Sequence, residues 1–135
     1  MRRLALALAM VLAWPLAAPA QEAGTEIREV ISDQIAAFKA DDFATAFTYA
    51  SPSIKRLFGS PGRFGQMVRS GYPMVWRPAD VRFTELKTRN GRQVQSVLVT
   101  DRAGALHVLD YEMVPGEDGW RINGVRVRKA GGAGA

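Results

Sequence analysis

Residues 81–128 read VRFTELKTRNGRQVQSVLVTDRAGALHVLDYEMVPGEDGWRINGVRVR. Apolar and β-branched residues dominate this stretch, and turn residues interrupt it at short intervals, which is the pattern of an antiparallel meander. Val81 and Phe83 alternate in the first expected strand, which ends at Asn90-Gly91. That pair favours the positive backbone angles of a tight hairpin turn. Val94 to Thr100 supplies the second strand. Asp101-Arg102-Ala103-Gly104 turns the chain, and Ala105 to Val114 supplies the third. Gly116-Glu117-Asp118-Gly119 turns it again, and Trp120 to Arg128 forms the fourth. Asn123-Gly124 breaks the alternation between Ile122 and Val125, so a β-bulge is expected there.

Upstream, the apolar period is helical. Ile27, Val30, Ile31, Ile35 and Phe38 recur at three and four, so the spacing predicts a helix over 25–40 with Thr25 as its cap and 22–26 as a polar leader. Asp41-Asp42 ends that helix and caps the next, which carries Phe43, Ala46, Phe47 and Ala50 on one face. Ser51-Pro52 and Ser60-Pro61 each place a capping side chain before a proline at the first helical position. Gly59 and Gly71 stop the helices those pairs open. Tyr72 to Pro78, bracketed by prolines, is expected to be extended or looped. Helices followed by a meander predict an α+β domain over 22–128, with the N-terminal helices packed on a curved antiparallel sheet. The residues from 129 to 135 are a small, flexible C-terminal tail in this reading.

The N-terminus predicts export. Arg2-Arg3 precedes the apolar run Leu4 to Leu16, and Ala18-Pro19-Ala20 has the small-x-small form of a signal-peptidase site. The run is shorter than the about 20 apolar residues a membrane span needs, so residues 1–20 read as a signal peptide and the mature chain has no span. The expected location is the periplasm or the exterior. Loss of Arg2 and Arg3 lowers the net charge from +5 to +3. A nucleic-acid partner is not expected, because no basic stripe interleaved with aromatics is present. With no cysteine and one histidine, neither disulfides nor a zinc centre is expected, and no cofactor motif occurs.

Several segments carry a family resemblance: Phe43-Ala44-Thr45-Ala46-Phe47, Ala50-Ser51-Pro52, Phe64-Gly65-Gln66-Met67-Val68, Gly71-Tyr72-Pro73 and Gly119-Trp120-Arg121-Ile122. In that order they resemble an exported bacterial family known as domain of unknown function 4864. It looks like a branch of the nuclear transport factor 2-like superfamily, whose cone-shaped (cystatin-like) fold the resemblance implies. That fold carries isomerases, dehydratases and cyclases as well as binding modules, so it implies no single chemistry.

Candidate sites follow from strand alternation. His107, Leu109, Tyr111 and Met113 share the expected inner face of the third strand, while Leu106, Val108, Asp110 and Glu112 share the outer one. His107 is the candidate general base, since an imidazole titrates near neutral pH; its plainer reading is a hydrogen-bonded core histidine. Asp110 points to the opposite face, and Tyr111 lies about 13 Å along the strand, so any orienting partner must come from elsewhere, such as Tyr49. Tyr49, Tyr72, Trp76, His107 and Tyr111 are the pocket candidates, with Tyr72 and Trp76 forming either a lid or an edge-packed cluster. Asp110 and Glu112, about 7 Å apart, read as a solvated outer pair before they read as paired catalytic carboxylates. Leu98, Leu106 and Val108 form an apolar outer patch, the candidate interface of a homodimer. Arg121, Arg126, Arg128 and Lys129 make the last strand a basic edge that discourages strand addition.

These features lead to an exported, non-catalytic module that takes a small apolar ligand or a partner segment in its cone. One rival is an isomerase- or cyclase-type enzyme using His107; another is a structural envelope protein acting through its sheet surface. Expressed in a bacterium, the chain should be recovered from the periplasm or medium with Gln21 as its first residue by intact mass. A cytoplasmic product that retains Arg2-Arg3 would contradict the signal assignment.

Overall fold

A computed structural model describes residues 18–129. Most of the expected signal segment, and the tail beyond residue 129, lie outside the described residues. Helix α1 spans Ala18–Lys39. Ile27, Ile31, Ile35 and Phe38 are all at most 5% exposed, so one stripe of the helix is wholly buried. The helix starts earlier than its apolar stripe. Residues 22–26, expected as a leader, are helical, and Thr25 is not a cap: its hydroxyl donates to the Gln21 carbonyl at 3.0 Å inside the helix. Polar helix formers extend a helix beyond the face that buries it.

Beyond α1, Asp41 adopts a left-handed conformation (φ 56°) that reverses the chain. Asp42 then caps α2 (Phe43–Thr48), accepting from the Thr45 N–H at 3.2 Å and its hydroxyl at 2.7 Å. Both Ser-Pro starts form as expected. Ser51 Oγ accepts from Ile54 N–H at the head of α3 (Pro52–Phe58), and Ser60 Oγ from Arg63 N–H at the head of α4 (Pro61–Gly71), each at 3.3 Å. Gly59 stops α3 at φ 79°. The segment expected as a loop after Tyr72 instead holds a single helical turn, α5 (Pro73–Trp76). Tyr72 and Arg77, the residues before Pro73 and Pro78, both leave the helical region with φ near −135°. The pre-proline restriction thus acts on the two flanks and leaves room for one turn between them.

The second half is an antiparallel sheet in the order β1-β2-β3-β4. Its strands are β1 (Asp80–Arg89), β2 (Arg92–Thr100), β3 (Leu106–Gly116) and β4 (Gly119–Lys129). Asn90 (φ 52°) and Gly91 (φ 77°) form the two-residue hairpin with the doubly positive geometry this pair favours. The expected bulge is present. Glu112 pairs with Gly124 and Met113 with Ile122, so Asn123 stands unopposed. The extra residue lets Ile122 and Val125, three apart, both face the helices across from Met113 and Tyr111. A second irregularity, between Phe83 and Leu86 on β1, carries no glycine or proline to announce it.

The α+β architecture closes around one core. Val97, Val99, Leu109, Tyr111 and Met113 of the sheet and Ile27 and Ile31 of α1 are all 0% exposed. Phe64 of α4 anchors the helical side, its ring 5.3–5.8 Å from those of Phe38, Phe47 and Phe58. Next to it Gly65 lets α2 and α4 meet: a Cβ there would lie 2.7 Å from the Phe43 ring. Gly65→Ala should therefore lower stability by about 1–3 kcal/mol, read as a drop in Tm. Gly71→Ala, with open space at its Cβ, should leave Tm unchanged or raise it. Equal melting of the two variants would refute the close contact.

Candidate functional site

The connection between α2 and α3 is tied to the bulge of β4. Ile122 N–H donates to the Tyr49 carbonyl and Ser51 N–H donates to the Ile122 carbonyl, both at 2.8 Å, so Ala50 pairs with Ile122 as one parallel bridge. Ser51 Oγ donates to Asn123 Oδ1 at 2.8 Å while it also accepts the capping bond from Ile54. The unopposed residue of the bulge thus supplies the side chain that receives the helix cap. These contacts hold the start of α3 across β4, yet none of that helix's own residues is buried.

Beneath α3 lies a cavity of about 340 Å³. Ile54, Leu57 and Phe58 of the helix face it on one side, and Tyr111, Ile122 and Val125 of the sheet face it on the other. Gly124 also borders it, so the bulge leaves that part of the wall without a side chain. No Lys, Arg, Asp, Glu or His is among the lining residues. Leu57 stands at the rim with 71% of its surface exposed, the most exposed large apolar residue described.

The side-chain polarity of the wall comes from Gln34, Tyr72 and Tyr111. Gln34 donates its amide N–H to the Ala46 carbonyl at 3.2 Å, and the Tyr72 hydroxyl donates to the Val125 carbonyl at 3.2 Å. The Tyr111 hydroxyl is buried and has no hydrogen-bond partner. Burial, and to a lesser degree the neighbouring Tyr72, push its phenol well above the usual tyrosine range, so it stays neutral and protonated.

The five pocket candidates are split between places. Tyr72 and Tyr111 line the cavity. Tyr49 is half-buried, and its backbone carbonyl receives Ile122. Trp76 and His107 meet in a separate cleft of about 320 Å³, shared with Met74, Arg77 and Asp101. There Trp76 Nε1 donates to Asp41 Oδ1 at 2.8 Å, and Arg77 bonds both Asp41 oxygens at 2.9 and 3.0 Å while stacking 4.3 Å over the Trp76 ring. Asp41, expected only to end a helix, is the acceptor that ties α5 to the end of α1. The bonds from Trp76 and Arg77 hold its carboxyl below the usual range.

His107 has an orienting partner that strand alternation did not reveal. Its Nε2 lies 2.8 Å from Asp101 Oδ2, and Asp101 Oδ1 accepts the N–H groups of Ala103 and Ala105, each at 2.9 Å. The histidine bond, then the Ala105 amide, keep the Asp101 carboxyl below its ordinary value. An ionised carboxylate only accepts, so Nε2 carries the proton and, in the neutral ring, Nδ1 is the basic nitrogen. The pair spans the β2–β3 turn. The clue lay in that turn, since an aspartate opening a four-residue reversal sits beside the start of the returning strand.

A family model described as domain of unknown function (DUF4864) matches residues 20–135. The chain belongs to that family. No curated protein and no solved structure matches it. For this member of the family, no group of three or more His, Cys, Asp or Glu side chains that could hold a metal occurs among the described residues, and no described helix is long and apolar enough to cross a membrane.

The outer sheet face is less open than alternation suggests. Leu98 and Val108 are half-buried, and Leu106 is 52% exposed. Asp110, expected in solvent, is only 4% exposed. It accepts from Ser96 Oγ at 2.7 Å and from Arg128 Nη2 at 3.1 Å, with Arg128 Nε 2.7 Å from its other oxygen. Arg128 is therefore its counter-ion as well as part of the strand edge; long side chains on neighbouring strands cover a carboxylate that a lone strand would expose. Burial works to raise the Asp110 pKa, but the Ser96 bond and Arg128 outweigh it and hold it below 3.8. A folded-state pKa below the unfolded value contributes stability that is complete above about pH 4–5 and lost as pH falls through the folded pKa. Asp110→Asn should lower Tm at neutral pH and flatten its decline toward pH 3. A variant with the wild-type acid profile would show that Asp110 carries no such linkage.

Proposed function

We propose that this chain is an exported, non-catalytic module that binds a small, mostly apolar ligand between α3 and the sheet. The observation that carries the reading is the uncharged cavity of about 340 Å³ under a helix that buries none of its own residues. Small-molecule sites span about 300–1,000 Å³, so the volume suits a small ligand. The rim supports the same reading. Leu57 exposes its side chain at the mouth, where solvent contact is unfavourable and an entering hydrocarbon would cover it. The helix is capped at its head by Ser51 and ends at Gly59. A nuclear transport factor 2-like architecture belongs to this reading, supported by helices that precede a four-stranded meander and by a cavity lined from both. Export rests on Arg2-Arg3, the apolar run and Ala18-Pro19-Ala20.

The His107–Asp101 pair favours a second reading, an isomerase- or cyclase-type enzyme in which Asp101 orients His107 as the base. It ranks below the first because this pair borders the Trp76 cleft and not the uncharged cavity under α3.

The hydrocarbon fluorophore diphenylhexatriene tests the first reading. It should brighten on binding the wild-type protein, and Leu57→Asp, which places a charge at the rim of a surface site, should weaken binding at least about tenfold with Tm unchanged. Met67→Trp, which fills the wall, should do the same. Absence of binding, or equal binding by all three proteins, would refute the site.

A further inference from the structure

The charge of this chain is unevenly placed. No acidic residue occurs between Asp42 and Asp80, and that stretch carries Lys55, Arg56, Arg63, Arg69 and Arg77. Its charge of +5 equals the excess of the whole chain, so all other residues together sum to zero. Arg77 is neutralised by Asp41, while the other four pair with no carboxylate among the described residues. Arg69 stacks 5.1 Å over the Phe43 ring, and Lys55 shares a groove with Glu117 and Asp118. Arg56 and Arg63 are exposed on either side of the Gly59-Ser60 turn that joins α3 to α4. Leu57, beside Arg56, is 71% exposed at the same corner.

The cations of this corner are solvated and shared between two helices, which suits an extended anionic surface better than one discrete anion. Nucleic acid presents such a surface, but its phosphates offer Leu57 no hydrocarbon. An anionic bilayer offers both. Its surface potential attracts Lys and Arg, each multiplying affinity roughly fivefold, and the acyl boundary beneath the headgroups covers an apolar side chain. Leu57 also stands at the rim of the cavity, so the face that meets the lipid is the face on which the cavity opens. We propose that the α3–α4 corner docks on an anionic lipid surface, with Leu57 entering the acyl boundary and Arg56 and Arg63 meeting phosphate headgroups. This deepens the reading of the cavity as an apolar-ligand site, on which it rests for its purpose, by naming where the ligand is met. The docking itself follows from the charge and from Leu57.

Co-sedimentation with vesicles of phosphatidylglycerol mixed with phosphatidylcholine, and of phosphatidylcholine alone, tests the assignment. The protein should sediment with the anionic vesicles at low salt and be released as salt is raised. Arg56→Glu combined with Arg63→Glu should weaken that binding at least about tenfold. Arg89→Glu combined with Arg102→Glu, which lowers the net charge equally at exposed positions elsewhere, should change it less than about threefold. Leu57→Ser should weaken it at least about fivefold with Tm unchanged. Equal binding to both kinds of vesicle, or equal loss in the two double variants, would overturn the docking face. Binding unaltered by Leu57→Ser would mark a site for any polyanion and overturn the lipid assignment. Each of these outcomes leaves the cavity standing where diphenylhexatriene still binds in vesicle-free solution. Vesicle binding that follows the expected pattern without probe binding would support the docking and refute the cavity.

Discussion

The structure depends on a junction where one extra residue in an edge strand meets the cap of a helix. Asn123 is unopposed because β4 bulges there, and its side chain receives Ser51 Oγ at 2.8 Å. Ser51 is 1% exposed and the same oxygen caps α3. Flanking backbone bonds at 2.8 Å hold Tyr49 and Ser51 to Ile122. Closing a loop this long carries an entropic cost that grows slowly with length, and several short bonds in one buried place offset it together. The junction fixes the head of α3, and Ile54 and Phe58, partly buried against the core, seat the rest of the helix over the cavity.

A second junction does the same work at the other end of the helical layer. Asp41 takes the left-handed conformation that ends α1, and its carboxylate then gathers Trp76 and Arg77. The Arg77 guanidinium also donates to the Phe38 carbonyl at 3.0 Å, one of the acceptors a helix end leaves free. Between these two ties the helices cover one half of the sheet tightly and the other loosely. The tight half contains Ile27, Ile31, Val97, Val99 and Leu109; the loose half contains the cavity. An unfilled volume forgoes contacts that a packed interior would make. Its retention beside an unpaired phenol is a local departure from good packing and from polar satisfaction in one place, and such departures mark where a fold serves something other than stability.

Much of the fold was legible because its punctuation is local. The two Ser-Pro starts, Asp42, Gly59, Asn90-Gly91 and Asn123-Gly124 each specify a backbone conformation through their own side chain or the lack of one, and each formed where its chemistry required. Strand alternation likewise placed Leu109, Tyr111 and Met113 inside. The irregularity between Phe83 and Leu86 had no such marker. The site was legible only in part. Tyr72 and Tyr111 were identified as lining residues, but alternation sets which face a side chain takes and not how far along the sheet the helices reach. His107 shares a face with Tyr111 and still lies in another cleft, beside a turn residue that no periodicity connects to it.

The sequence by itself determined the order of elements, their caps and turns, the inward face of β3 and the site of the bulge, because those follow from φ preferences and side-chain period within a few residues. Only the tertiary structure decided that Asp101 meets His107, that Asp110 is covered by Ser96 and Arg128, that Asp41 gathers Trp76 and Arg77, and that a space remains under α3. Each of these needs groups from separate turns or strands to converge. Convergence depends on how far the packed layers extend, which no local preference encodes.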